Sequence, residues 1–177
     1  TTGASAAGTT HGTNATASDS STALGESAHA NGERGLAVGR ESIAGGSIGS
    51  AATGDSSQAW GNYSTSVGYK AAVGTRDEHV NFATAVGSEA KATAENSVAL
   101  GAGAIADREY TVSIGQAGAE RQLVNVADGT NPTDAVNVRQ MEAADDVLHN
   151  RINNVKTQYQ AADDALNNRI DTTNGRI

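Results

Sequence analysis

The chain has 177 residues, a formal net charge of −8, only 3% aromatic residues, 21 glycines, one proline and no cysteine. The charge works against unaided binding to nucleic acid or anionic membrane surfaces, and the lack of cysteine excludes a disulfide framework and thiol chemistry. Leu, Ile, Val and Phe side chains each contribute roughly 1.5–3 kcal/mol when buried, and so few of them cannot build an ordinary single-chain core: the chain must be disordered, repetitive or completed by other chains.

No apolar run approaches the roughly 18 residues of a membrane-spanning helix, and we expect no signal peptide within these residues. The chain opens on Thr1 and stops at Ile177 inside a helical pattern, so we expect a piece excised from a longer protein.

From the start of the chain a short phrase recurs: TALG ending at Gly25, LAVG at Gly39, AATG at Gly54, TSVG at Gly68, TAVG at Gly87, VALG at Gly101 and VSIG at Gly115, with a weaker copy at Gly12. The glycines are spaced by 14, 15, 14, 19, 14 and 14 residues. Three and five residues after each glycine from Gly25 to Gly101 stand Ala or Ser, with Val73 the one exception, as in Ala28 and Ala30 or Ala104 and Ala106. Alternation within the phrase has period two, which is strand-like. In SVALG, Val98 and Leu100 share one face and Ala99 takes the other. Two short strands and two turns in about 14 residues make one coil of a narrow solenoid, and such coils bury their faces only by stacking. Leu24, Val38, Val67, Val86, Val98, Leu100, Val112 and Ile114 are the expected roll or interchain core, with alanines in the thin interior.

Tyr63, Phe82 and Tyr110 each lie five residues before a phrase glycine and so share one column. The simpler expectation is a lateral cap over the alanine stack; the functional one is an exposed contact strip. The 19-residue spacing hides a five-residue insertion within TRDEHVNF, residues 75–82, which must leave the stack as a surface loop. It carries Arg76, Asp77, Glu78 and His79, and sequence-adjacent side chains rarely converge on one metal ion.

After about residue 133 the period changes. Thr133 or Asp134 is placed to cap a helix just after Pro132. Apolar positions then run through Val138, Met141, Ala144, Leu148, Ile152, Val155, Tyr159, Ala162, Leu166, Ile170 and Ile177, the three-and-four spacing of a coiled-coil seam. AADDVLHNRI at 143–152 returns as AADDALNNRI at 161–170, an 18-residue offset. Five turns over 18 residues should run nearly straight. A narrow acidic helix with one apolar stripe must associate with copies of itself, and pattern alone does not decide between two, three or four.

SVALGAGAIA and its sister phrases resemble the head repeats of trimeric autotransporter adhesins of the YadA type. RQLVNVADGTNPTDAVNVRQM, residues 121–141, resembles that family's neck, most specifically in TDAVNV followed by Arg139, Gln140 and Met141, and the helical tail resembles the start of a stalk. The resemblance implies a mainly β chain with a helical C-terminus: a trimer of left-handed parallel β-rolls over residues 1–120, a neck over 121–137 and a parallel trimeric coiled-coil stalk over 138–177. It marks Asn125, Gly129, Thr133, Asp134 and Asn137 as neck residues, and Met141, Leu148, Ile152, Val155, Tyr159, Leu166 and Ile170 as the stalk core. It implies a homotrimer at a bacterial cell surface, held in the outer membrane by an anchor that these residues do not include. In related heads the phrase NSVAIG is linked to collagen binding. The nearest match here is NSVALG, Asn96 to Gly101, whose apolar residues the packed roll also requires.

Three functions compete. An adhesin head would bind host matrix or cell-surface molecules multivalently, with Tyr63, Phe82, Tyr110, Arg76 and His79 as contact residues. A passive spacer would have no ligand of its own. An enzyme on a β-helix would need paired carboxylates on one face. Glu26, Glu41, Asp55 and Glu89 lie on different coils, the four histidines share no motif, and no serine sits in a G-x-S-x-G elbow. We expect no catalysis, cofactor or metal; DGTNPTD lacks the spacing and terminal Glu of a calcium loop.

Overall fold

The structure is a computed structural model and describes residues 7–176. The chain divides into two compact units between Arg121 and Gln122.

The first unit is a parallel β-roll. One sheet holds β1 (Thr9–His11), β3 (Thr22–Leu24), β5 (Leu36–Val38), β7 (Ala51–Thr53), β9 (Thr65–Val67), β11 (Thr84–Val86), β13 (Val98–Leu100) and β15 (Val112–Ser113), paired in that order. The other holds β2 (Thr16–Ala17), β4 (His29–Ala30), β6 (Ile43–Ala44), β8 (Gln58–Ala59), β10 (Ala72–Val73), β12 (Lys91–Ala92) and β14 (Ile105–Ala106), again in chain order. Each phrase is therefore one coil. The weak copy at Gly12 is a coil too, since β1 pairs with β3 in the common register.

Register stacks like on like. Ala23, Ala37, Ala52, Ser66, Ala85 and Ala99 form one column, and Ala17, Ala30, Ala44, Ala59, Val73, Ala92 and Ala106 the facing one. Apart from half-buried Ala17, all of these are buried, and together they make the interior. The apolar column Leu24, Val38, Val67, Val86, Val98, Leu100, Val112 and Ile114 is not in that interior. It lies on the outer face, half-buried or exposed; Leu100 is 48% and Val112 66% exposed. The reason is thickness. Two strands of one narrow coil face each other closely enough for small side chains but not for an isobutyl group, so alanine or serine turns inward in nearly every coil; in β10 Val73 is buried and Ala72 faces out.

The phrase glycines are a steric requirement. Gly25, Gly39, Gly54, Gly68 and Gly87 have φ of 124–132°. A Cβ on any of the five would lie 2.5–2.7 Å from backbone of the glycine one coil on. Buried hydroxyls close the adjoining turns: Ser21 donates to Ser18 O (2.5 Å), Ser64 to Gly61 O (2.6 Å) and Ser97 to Ala94 O (2.6 Å).

The second unit is a loop followed by one helix, α1 (Val138–Asn174). The cap is Asn137, not Thr133 or Asp134: Asn137 Oδ1 accepts the Gln140 amide at 3.0 Å. Asp134 instead closes the preceding turn, accepting the Thr130 and Asn131 amides at 2.9 Å each. The helix buries none of its described residues. Met141, Leu148, Ile152, Val155, Tyr159, Leu166 and Ile170 are all 47–71% exposed, which leaves the seam open. Ile177 lies outside the described residues.

Candidate functional site

The insertion leaves the roll at Gly74 and returns at His79. Its tip is a tight turn in which the Thr75 amide donates to Glu78 O (2.8 Å) and the Glu78 amide to Thr75 Oγ1 (3.1 Å). Val80, 4% exposed, plugs the returning strand into the core. Residues 79–82 (HVNF) then lie directly over 60–63 (WGNY) of the coil before. His79 stacks on Trp60, ring centroids 6.4 Å apart and planes 25° apart. Phe82 stacks on Tyr63 at 5.5 Å and 10°. Between the two stacks runs an asparagine ladder: the Ile48 amide donates to Asn62 Oδ1 (3.2 Å), the Asn62 amide to Asn81 Oδ1 (2.9 Å), and Asn81 Nδ2 to Glu95 Oε1 (2.9 Å).

The coil below makes room for the rings. A Cβ on Gly45 would stand 2.2 Å from Trp60 Cε3, and one on Gly49 3.0 Å from Tyr63 Cδ1. The irregular stretch GGSIG is thus the floor of the corner. Trp60 is fixed further by its Nε1, which donates to Gln58 Oε1 at 2.9 Å.

Tyr63, Phe82 and Tyr110 occupy the same turn position of their coils with φ of 53°, 56° and 56°. Other coils place Ser20, Arg34, Gly49 and Asn96 there. A bulky L-residue in this left-handed region costs about 1–2 kcal/mol. The rings do not cap the alanine stack: they sit on the outer turn, 52%, 57% and 78% exposed. Tyr110 is separated from the Tyr63–Phe82 pair by the coil of Asn96, so the strip is a pair plus one. Arg76 is exposed on the insertion and holds no partner among the described residues. Sequence reading missed Trp60, Asn62 and Asn81, although aligning each coil on its glycine places Trp60 over His79 and Asn62 over Asn81.

A second turn carries charge. Arg40 pairs with Asp55 (2.9 Å) and Glu41 (2.7 Å). The Arg40 guanidinium is held above its usual pKa, chiefly by the Asp55 hydrogen bond and charge. Asp55 is held below the usual carboxylate range, first by the Ser56 hydroxyl and then by Arg40. These groups are exposed and hold adjacent coils in register; they do not form an acid–base pair. Among the described residues no group of three or more His, Asp or Glu could hold a metal ion.

In the second unit Asn137 Nδ2 donates to Val126 O (3.1 Å) and Asp128 Oδ1 (2.6 Å). Arg139 pairs with Asp128 at 2.6 Å, and Gln140 makes two bonds to the backbone of Gly129. Asp128 is held low chiefly by Arg139 and then Asn137, and Asp134 by the Asn131 and Thr130 amides. Asn125 takes φ of 61° at the loop's start, and Thr133 is exposed.

The chain thus combines a stacked β-roll whose apolar column is exposed with a helix whose seam is open, two apolar faces that a single chain leaves uncovered. Comparison with known proteins finds a match for each part. The YadA head domain repeat matches residues 18–42, 47–71, 81–104 and 94–116, and the coiled stalk of trimeric autotransporter adhesin matches residues 122–176. The chain belongs to the trimeric autotransporter adhesins of the YadA type. It is 34% identical over 136 residues to the autotransporter adhesin EhaG of Escherichia coli O157:H7, covering 66% of this chain and 8% of that protein. The solved collagen-binding domain of the Yersinia adhesin YadA is 31% identical over 76% of this chain and 86% of that one, with a TM-score of 0.46. The chain is therefore a piece of an adhesin passenger at the cell surface, and the families it matches are adhesin families.

Proposed function

We propose that three copies of this chain form the head, neck and upper stalk of a bacterial surface fibre that binds host matrix or cell-surface molecules. The carrying observation is that Tyr63, Phe82 and Tyr110 stand in one turn column of the roll while most of each ring stays in water. Large exposed apolar side chains aligned on one edge point to a contact surface. Two further copies would cover the outer column of Leu24, Val38, Val67, Val86, Val98, Leu100, Val112 and Ile114 and the helix seam, two apolar faces that one chain leaves open. On this reading the roll is the head, residues 121–137 the neck and 138–177 the stalk, with three left-handed rolls side by side. Tyr63, Phe82, Tyr110, Arg76 and His79 form the contact surface, repeated three times, so that weak contacts gain by multivalency. The parent protein is anchored in the outer membrane by a segment beyond these residues.

The test has two parts. Light scattering across a dilution series should give a mass of three chains; a folded monomer sinks the trimeric reading. The trimer should then bind members of a panel of immobilised matrix proteins, collagen included. Replacing Tyr63, Phe82 and Tyr110 together by Ser should weaken that binding and leave the trimer intact. A trimer that binds nothing on the panel or on host cells is the passive spacer.

A further inference from the structure

We infer that the corner built by Trp60, His79, Asn62, Asn81, Tyr63 and Phe82 is a glycan-binding site for uncharged oligosaccharides of hexose or N-acetylhexosamine units. This rests on the adhesin reading and names a ligand class for one part of its surface.

Four observations converge. First, two aromatic stacks flank a polar strip on a single corner of two successive coils. Sugar rings present an apolar C–H face and a polar hydroxyl rim, and exposed aromatic rings beside amides match both. Phe82 has one face on Tyr63 and still exposes 57% of its surface. Second, the amide oxygens of Asn62 and Asn81 are both taken by backbone amides. That sets the orientation of the two side chains and leaves Asn62 Nδ2 without a partner among the described residues, a donor for a hydroxyl or acetamido oxygen. Third, the fold makes room for rings at this corner. Tyr63 and Phe82 put aromatic side chains on a turn position whose left-handed φ Ser20, Arg34 and Asn96 share in other coils, and Gly45 and Gly49 empty the coil below to seat Trp60 and Tyr63. The five-residue insertion brings His79 onto Trp60. Fourth, the surroundings carry Glu95 and the loop acids Asp77 and Glu78 against Arg76, in a chain of net charge −8. Sulfated or sialylated glycans are disfavoured there, and the ligand is neutral.

The experiment uses the full 177-residue chain on an immobilised array of neutral hexose and N-acetylhexosamine oligosaccharides, printed beside sialylated and sulfated ones. The neutral probe that binds best is then titrated in solution. Trp60 is the only tryptophan, so its emission reports directly from the corner. Neutral probes should bind and change that emission. Tyr63→Asn and Phe82→Asn should each weaken binding roughly three- to tenfold, the value of one aromatic contact. Asparagine suits the left-handed turn, so both variants should keep the wild-type melting temperature. Tyr69→Ser, at a different turn, should bind as wild type. Binding confined to anionic probes, or neutral binding that survives the double variant Tyr63→Asn/Phe82→Asn, overturns the inference. No array signal from a chain that still captures matrix proteins overturns it too, and leaves the adhesin reading standing. Loss of both kinds of binding defeats the adhesin reading itself.

Discussion

Ser66→Ala should stabilise the roll. Ser66 occupies the inward column whose other members in β3 to β13 are all alanine, it is fully buried, and its hydroxyl has no hydrogen-bond partner. An unmade hydrogen bond on a buried hydroxyl costs about 1–3 kcal/mol, and alanine removes the oxygen without changing the backbone or creating a gap that its neighbours do not already tolerate. Taking the low end, we expect a gain of about 1 kcal/mol per chain. Ser64→Ala gives the opposite sign. Its hydroxyl donates to Gly61 O at 2.6 Å, so its loss should cost roughly 0.5–1.5 kcal/mol. The two substitutions remove the same atom from positions two residues apart, and their stabilities should differ by about 2 kcal/mol. Urea melts followed by circular dichroism, at one fixed chain concentration, read this directly. If Ser66→Ala melts earlier than wild type, the hydroxyl is bonded in solution, to water or to a carbonyl, and the reasoning from register and burial fails.

Gly45→Ala would put a methyl group 2.2 Å from Trp60 Cε3. The indole should be displaced from Gln58 and His79, which red-shifts its emission and costs about 1–3 kcal/mol; unchanged emission would mean that Trp60 does not rest on this glycine. Ala99→Leu should overpack the fully buried interior and prevent regular stacking, whereas Leu100→Ser should leave the single-chain fold alone and weaken association, measured by circular dichroism and by sedimentation respectively. Asn137→Ala removes the helix cap together with the ties to Val126 and Asp128. It should cost about 0.5–2 kcal/mol and fray the first turn of α1, seen as faster amide exchange around Met141. Acid should loosen the loop before the helix. Asp128 and Asp134 have folded pKa values below their unfolded ones, so their contribution is present above the unfolded carboxylate pKa and is lost as pH falls through the depressed values. Protection of the Thr130 and Asn131 amides, measured relative to their intrinsic exchange rates, should therefore fall at acid pH; protection that stays constant to pH 2 would contradict the assignment.

The repeat was legible in the sequence because it is local. Parallel stacking puts residue i on residue i plus one coil, so a conserved phase of Gly25, Gly39, Gly54, Gly68, Gly87 and Gly101 is already a statement about vertical neighbours. The helix seam and the change of period near residue 133 were legible for the same reason. The helix start was misplaced, since Thr133, Asp134 and Asn137 are all good caps, and the choice among them depends on which carbonyls and amides the loop brings near: Asn137 reaches Val126 and Asp128, while Asp134 is occupied by Thr130 and Asn131. Alternation in Val98-Ala99-Leu100 defined two faces without saying which was inside. Only the tertiary structure decided that, because the distance between the two strand layers, a property of the closed coil, admits Ala99 and excludes Leu100. It also decided the corner. Trp60 meets His79, and Tyr63 meets Phe82, because the insertion closes on itself through Thr75 and Glu78 and returns the chain to register at Val80. A 19-residue spacing announces extra residues, but where they loop out is settled by the packing of that one valine.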